Sequence, residues 1–369
     1  MRALLLSGYA AGSHRYWRNG LERMFPDWQW QVEELPARHF AWRVRGNPLH
    51  WSQGDDALED PAADMLLATS MVDLATLRGL VPCLAGLPTG LYFHENQFDY
   101  PAGRGRHGNL EAQMVSLYSA LAADWLYFNS DYNRQGFLEG VDALLAGMPD
   151  LVPAGVAETL AERSTVLPVP LLPFSGDRGQ SPWPAREGLQ PLRLLWCGRF
   201  EYDKGGDRLL AALARLEATG LDYQLALAGQ RFRELPPPFA EIQRRFTHRI
   251  VHLGYLESVA DYQALLRGAD LVVSTALHEF QGIAILEAVS AGCVPLLPSR
   301  QAYPELYPAD YLYPSQPENP AVEAEGLVQQ LLVLADGIAQ GEIRAPDVSA
   351  YALGEVAPRY RAAFEALTG

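Results

Sequence analysis

Only three cysteines occur in 369 residues. Cys83, Cys197 and Cys293 lie in apolar surroundings with no paired spacing. That excludes a disulfide frame or a cysteine metal site and fits reduced core residues in a cytosolic protein. No apolar run approaches the roughly 20 residues that span a bilayer, and no amphipathic basic helix offers a membrane anchor. Met1 to Gly8 is short and reads as a first strand, not as a signal peptide. No Asp-x-Asp pair falls at a strand end, so no bound metal is expected. Positive charge is also scarce. With 44 acidic against 29 basic residues the net charge is −15, which argues against indiscriminate nucleic-acid binding unless cations gather on one face. The length makes two domains the default.

What is present centres on one stretch, Ser274 to Glu287. Leu271-Val272-Val273 reads as a buried strand, and Ile283 to Ala291 as an apolar helix ended by Gly292. Between them lie His278 and Glu279, then Gly282 where the helix begins. A helix N-terminus aims unpaired N–H groups at what precedes it, which suits a phosphate. Gly282 removes the side chain that would block close approach. Glu287, about one turn into the helix, and Glu279, on the loop, can each accept hydrogen bonds from a polyol. The same residues also fit a plain capped helix with two solvated glutamates.

Taken in order, the chain opens with a strand, Leu4-Leu5-Leu6, running into a loop at Gly12-Ser13-His14. Ser13 is read as the N-cap of a helix over about Arg15 to Met24. This is either a ligand-facing βα turn or an ordinary tight one. Trp28 to Leu35 is a further strand. Residues 36–51 then interleave Arg38, His39, Arg43 and Arg45 with Phe40, Trp42 and Trp51. Such an island either grips phosphates and stacks on bases, or is a surface loop with its aromatics tucked inward. Met65 to Ser70 and Thr89 to Asn96 read as parallel strands. The cluster His94, Glu95, Asn96 and Gln97 falls at the carboxyl end of the second, where open α/β sheets bind ligands. Arg104, Arg106 and His107 lie in a glycine-rich loop expected to be mobile. Asn109 to Ala122 is helical, Trp125 to Ser130 is a strand, and Ser130 or Asp131 caps the next helix.

Ser175 to Pro191, rich in Gly, Pro and Ser, reads as a linker. A second βα series follows, beginning with the strand Leu192 to Phe200 and the helix Gly205 to Thr219. The expected layout is a first domain over 1–174, a linker over 175–191 and a second domain over 192–353. An amphipathic stretch within 354–369 packs back on the first domain. Between the first strand and helix of the second domain stand Arg199 and Lys204. Two cations there can clamp a diphosphate and stabilise the charge that grows on it as it leaves.

Gly198-Arg199, then Lys204-Gly205, then Glu279 and Glu287 with seven residues between them, resemble the retaining glycosyltransferases of family 4. That resemblance implies an α/β GT-B fold, two Rossmann-like domains facing across a cleft. It gives Arg199 and Lys204 to the donor diphosphate, Glu279 to the donor sugar and Glu287 to the nucleotide ribose. Phe280, Gln281, Gly282 and Ile283 complete the donor loop, Gly12 and Ser13 correspond to the glycine loop after the first strand, and His94 faces the transferred sugar. Gly12-Ser13-His14, Leu35-Pro36-Ala37, Trp42-Arg43-Val44-Arg45, Tyr92-Phe93-His94-Glu95-Asn96-Gln97 and Phe128-Asn129-Ser130 further resemble the tRNA-queuosine mannosyltransferase family. Membership implies transfer of mannose from GDP-mannose to queuosine in the anticodon of tRNA-Asp in the cytoplasm, with no cofactor beyond the nucleotide-sugar. The acceptor side then falls to Arg38, Arg43, Arg45, Asn96, Gln97, Arg104 and Arg106. Competing readings are a family 4 enzyme with a small-metabolite, lipid or polysaccharide acceptor, and a non-catalytic two-domain sugar binder.

Overall fold

The computed structural model describes residues 1–54, 58, 62–99, 110–186, 190–230 and 235–369. The chain forms two compact units, Met1–Leu172 with Tyr351–Gly369, and Pro173–Ala350.

Unit 1 alternates strands and helices: β1 (Arg2–Ala10), α1 (Gly12–Met24), β2 (Gln29–Pro36), α2 (Phe40–Gln53), β3 (Met65–Thr69) and α3 (Leu74–Leu80). It continues through β4 (Thr89–Phe93), α4 (Leu110–Ala122), β5 (Trp125–Phe128), α5 (Asp131–Ala146), α6 (Val156–Glu162) and β6 (Ser164–Val166). The inner strands are apolar on both faces because helices cover both sides of a parallel sheet, whereas the edge strand β2 is largely polar. β3 and β4 are buried along their whole length. The order β2-β1-β3-β4-β5-β6 reverses between β1 and β3, a flavodoxin-type arrangement with its crevice at that point.

Unit 2 holds β7 (Leu192–Cys197), α7 (Gly206–Glu217), β8 (Tyr223–Ala228), α8 (Pro237–Arg245), β9 (Ile250–Gly254) and α9 (Val259–Gly268). Then come β10 (Leu271–Val273), α10 (Ile283–Ser290), β11 (Val294–Pro298), α11 (Tyr303–Leu306), β12 (Leu312–Tyr313) and α12 (Pro320–Gln340). Its parallel order, β12-β11-β10-β7-β8-β9, is that of dinucleotide-binding sheets, with the switch point between β7 and β10. The last helix, α13 (Leu353–Thr368), belongs to unit 1. Tyr360 anchors it: its hydroxyl accepts from Trp17 Nε1 at 2.9 Å and lies 3.2 Å from the Tyr92 hydroxyl.

Four sequence expectations need correction. Residues 40–53 form a helix, not a surface loop; the aromatics, Gly46 and Pro48 obscured its 3.6-residue period. Ser13 lies inside the first turn of α1, whose N-cap is Ala11 with no side-chain cap. Over its described residues, the stretch read as a linker is held on unit 2: Trp183 is buried, and its Nε1 donates to the Leu265 carbonyl. The 21-residue helix α12 had no counterpart in the sequence reading. No helix among the described residues is long and apolar enough to cross a membrane.

Candidate active site

The β7–α7 turn and the β10–α10 loop flank the switch point of unit 2. Phe200 roots the first, buried against Trp196 and Phe239 with ring centroids 5.4 and 5.0 Å away. Gly205 then turns with φ +66°, and a Cβ there would sit 1.9 Å from the Thr275 carbonyl oxygen, so only glycine fits. The two segments are stitched together. Leu277 N–H donates to the Asp203 carbonyl at 2.7 Å, and Thr275 Oγ1 donates to the Lys204 carbonyl at 2.9 Å.

This stitching sets Lys204, the only lysine in the chain, against Glu279. Lys204 Nζ donates to Glu279 Oε2 at 3.0 Å and to the His278 carbonyl at 2.9 Å, and lies 3.4 Å from Asp203 Oδ2. Burial favours the neutral amine, but the Glu279 and Asp203 carboxylates outweigh it and raise the Lys204 pKa above 10.5. Arg199, part-exposed, stands 3.1 Å from Glu201 and 3.8 Å from Asp203. Burial raises the Glu201 pKa, opposed by Arg199. The cations expected to face a diphosphate are thus engaged by carboxylates, and an anion bound here would compete with Glu201 and Asp203.

Glu279 is held from three sides. Its Oε1 accepts from the Gly282 N–H at 3.2 Å, its Oε2 takes Lys204, and its own N–H donates to Gln301 Oε1 at 2.5 Å. Gly282, at φ +77°, caps α10, so its N–H is already paired with Glu279. Ile283 opens the helix and is half-buried. Phe280 and Gln281 are buried. Glu287 Oε2 accepts from the Tyr262 hydroxyl at 3.0 Å. Tyr262 and Gln301 have no motif signal. Gln301 is betrayed only by its backbone, a non-glycine residue at φ +55°.

In unit 1, Gly12 and Ser13 are exposed in the first turn of α1, at the carboxyl edge of the sheet. His94 follows β4 and is buried, stacked on His14 at 4.1 Å. Burial first, then the neighbouring His14, pushes its pKa well below 6.5, so the ring is neutral. Asn96 is fully buried: its amide donates to Asp99 Oδ2 and Asn133 Oδ1, and its carbonyl accepts from the Phe98 and Asp99 N–H groups. It braces the loop, which corrects the expectation of an acceptor contact. Gln97 is also buried, its amide against Met71 Sδ. Arg38 is exposed and Arg43 half-buried, and neither forms an ion pair among the described residues. Trp42 beside them is 58% exposed. Arg45 differs, pairing with buried Asp73 and with Glu111. Arg104 and Arg106 lie outside the described residues.

Residues 2–171 match the family described as tRNA-queuosine alpha-mannosyltransferase N-terminal, and residues 191–330 match glycosyl transferases group 1. The tRNA-queuosine alpha-mannosyltransferase of Drosophila melanogaster is 33% identical over 316 residues, 84% of this chain and 82% of that protein. A GDP-mannose-dependent alpha-(1-6)-phosphatidylinositol dimannoside mannosyltransferase of Mycobacterium tuberculosis (strain ATCC 25177 / H37Ra) is 30% identical over 120 residues, covering 32% of this chain and 30% of that one. Among solved structures, the UDP-forming alpha,alpha-trehalose-phosphate synthase of Burkholderia xenovorans aligns over all of both chains with TM-score 0.70 and 15% identity. Anabaena Alr3699/HepE with UDP and glucose aligns over 99% of this chain and 100% of its own with TM-score 0.66 and 14% identity. These last two speak for the GT-B fold alone.

Proposed function

The chain belongs to the tRNA-queuosine alpha-mannosyltransferase family and is a hexosyltransferase, and from that premise we propose that it moves mannose from GDP-mannose to queuosine in the anticodon of tRNA-Asp, in the cytoplasm. The observation that carries the donor side is the Lys204–Glu279 pair at the switch point of unit 2. Arg199 and Lys204 grip the diphosphate and stabilise it as it leaves. Glu279, fixed by the Gly282 N–H, meets hydroxyls of the hexose, and Glu287, steadied by Tyr262, meets the ribose. In the reaction the anomeric carbon–phosphate oxygen bond breaks and a bond to an acceptor hydroxyl oxygen forms on the same face. The acceptor proton passes to the departing phosphate, so the anomeric configuration is retained.

The acceptor side rests on Arg38 and Arg43 around the exposed Trp42, cations beside a stacking surface. The test is to incubate queuosine-bearing tRNA with the protein and GDP-mannose and to digest the tRNA for nucleoside mass spectrometry. A hexose adduct on queuosine is expected. Turnover with GDP-mannose that leaves every nucleoside unchanged would shift the acceptor to a small metabolite, lipid or polysaccharide.

A further inference from the structure

Three imidazole nitrogens at the carboxyl edge of the unit 1 sheet are buried without a hydrogen-bond partner: His14 Nδ1, His14 Nε2 and His94 Nε2. His14 is 1% exposed and His94 5%. The rings stack at 4.1 Å and 21°, and Trp17 presents its edge to His94 at 5.0 Å. The Glu95 carboxylate, part-exposed, stops 4.0 Å from His14 Nε2. His14 is the third residue of α1, directly after the exposed Gly12 and Ser13. A phenylalanine would fill the same slot and keep the stack with no polar atom left unpaired. Histidine here breaks the rule of buried polar satisfaction, and such breaks concentrate where a ligand supplies the missing partner.

We propose that His14 is a second hydroxyl-binding residue, forming with His94 a paired-imidazole site for a polyol. His14 offers both ring nitrogens and His94 its Nε2, groups that can donate or accept and so match adjacent hydroxyls that are themselves donors and acceptors. Glu95 adds a further acceptor at its side. The inference rests on the functional reading above, in which both substrates carry neighbouring hydroxyls, the hexose of GDP-mannose and the diol of queuosine.

The experiment compares full-length wild type with His14→Phe and His14→Gln. Thermal melting is measured, together with affinity for four probes: GDP, GDP-mannose, queuosine-bearing tRNA and the same tRNA lacking the modification. His14→Phe is expected to melt at or above the wild type. It should lose about tenfold in affinity for one polyol-bearing probe and nothing for the counterpart that lacks that hexose or queuosine diol, the size of one lost hydrogen bond. The probe that suffers identifies the source of the polyol. His14→Gln, which keeps a donor and an acceptor, should recover part of the loss. Wild-type affinity of His14→Phe for all four probes overturns the inference, as does a lowered melting point with parallel loss of all four. A wild type indifferent to both polyols overturns the functional reading, and the inference with it.

Discussion

Lys204 and Glu279, 75 positions apart in sequence, meet in a 3.0 Å ion pair that joins the two loops flanking the unit 2 switch point. All other long cationic side chains here are arginines. A lysine ammonium is a compact point charge with three rotatable donors, whereas guanidinium is a planar fork that needs more room. Lys204 reaches Glu279, Asp203 and the His278 carbonyl at once. Lys204→Ala is expected to lower the rate of mannosyl transfer by about 10²–10³-fold, the scale of one removed charge-stabilising donor. Lys204→Arg should not restore it. Circular dichroism and thermal melting should show both variants folded. Near-normal turnover in Lys204→Ala would remove the diphosphate clamp from the mechanism.

The neutral, buried His94 makes stability depend on pH in a definite direction. Its native pKa lies well below the 6.5 of an ordinary histidine. The unfolded chain therefore takes up a proton near pH 6.5 that the native chain refuses. Stability from this group is complete above that pH and declines as pH falls toward the native value, at up to about 1.4 kcal/mol per pH unit. His94→Phe removes the group and keeps the ring. Urea unfolding at pH 7 and pH 5.5 should show the variant losing less stability than the wild type between the two. Equal losses would mean that His94 titrates normally.

Much of this was legible in the sequence, for identifiable reasons. Arg199, Lys204, Glu279 and Glu287 stand at strand ends and helix starts, positions that hydrophobic periodicity marks well. Periodicity does not say what a side chain touches after folding. Asn96 read as a ligand because it follows a strand, yet Asn133, from elsewhere in the fold, and Asp99 of the same loop consume its amide. Arg45 read like Arg38 and Arg43 because its partner Asp73 lies 28 residues away and leaves no mark near it in the chain. Gln301 and Tyr262 act through tertiary hydrogen bonds, which no local spacing encodes.

The ion pairs of Arg45 separate three arginines that look alike in the sequence. Arg38 and Arg43 have no carboxylate partner among the described residues, whereas Arg45 pairs with Asp73, the N-cap of α3. Arg38→Glu and Arg43→Glu are expected to weaken tRNA binding at every sequence, and each should reduce the slope of log affinity against log salt by about one. Arg45→Glu should instead set a carboxylate against Asp73 and lower the melting temperature. Binding titrations at several salt concentrations, beside thermal melts, distinguish the two behaviours. If Arg38 and Arg43 leave the salt slope untouched, the RNA face lies elsewhere.

Beneath the donor loop of unit 2, Glu323 is fully buried between two arginines, with Arg300 Nη2 at 2.6 Å and Arg208 Nε at 3.1 Å. It also accepts from the Gln316 N–H at 2.7 Å, so both carboxylate oxygens are committed. Arg300 uses its remaining nitrogen, Nε, to donate to the Ala276 carbonyl, inside the β10–α10 loop. Removing the carboxylate alone leaves the largely buried Arg300 guanidinium with no ion-pair partner among the described residues, while Arg208 keeps Asp207. Glu323→Ala is therefore expected to destabilise the fold, as read by urea unfolding, by about 3–5 kcal/mol, well beyond an ordinary surface substitution. The double replacement Arg300→Met with Glu323→Leu removes one charge of each sign and fills the space with apolar volume, so it should recover a good part of that loss. It cannot recover the Ala276 contact, so donor affinity should stay low in the double variant while stability returns. Donor affinity that recovers in step with stability would show that the buried ion cluster holds the fold together without setting the shape of the donor loop.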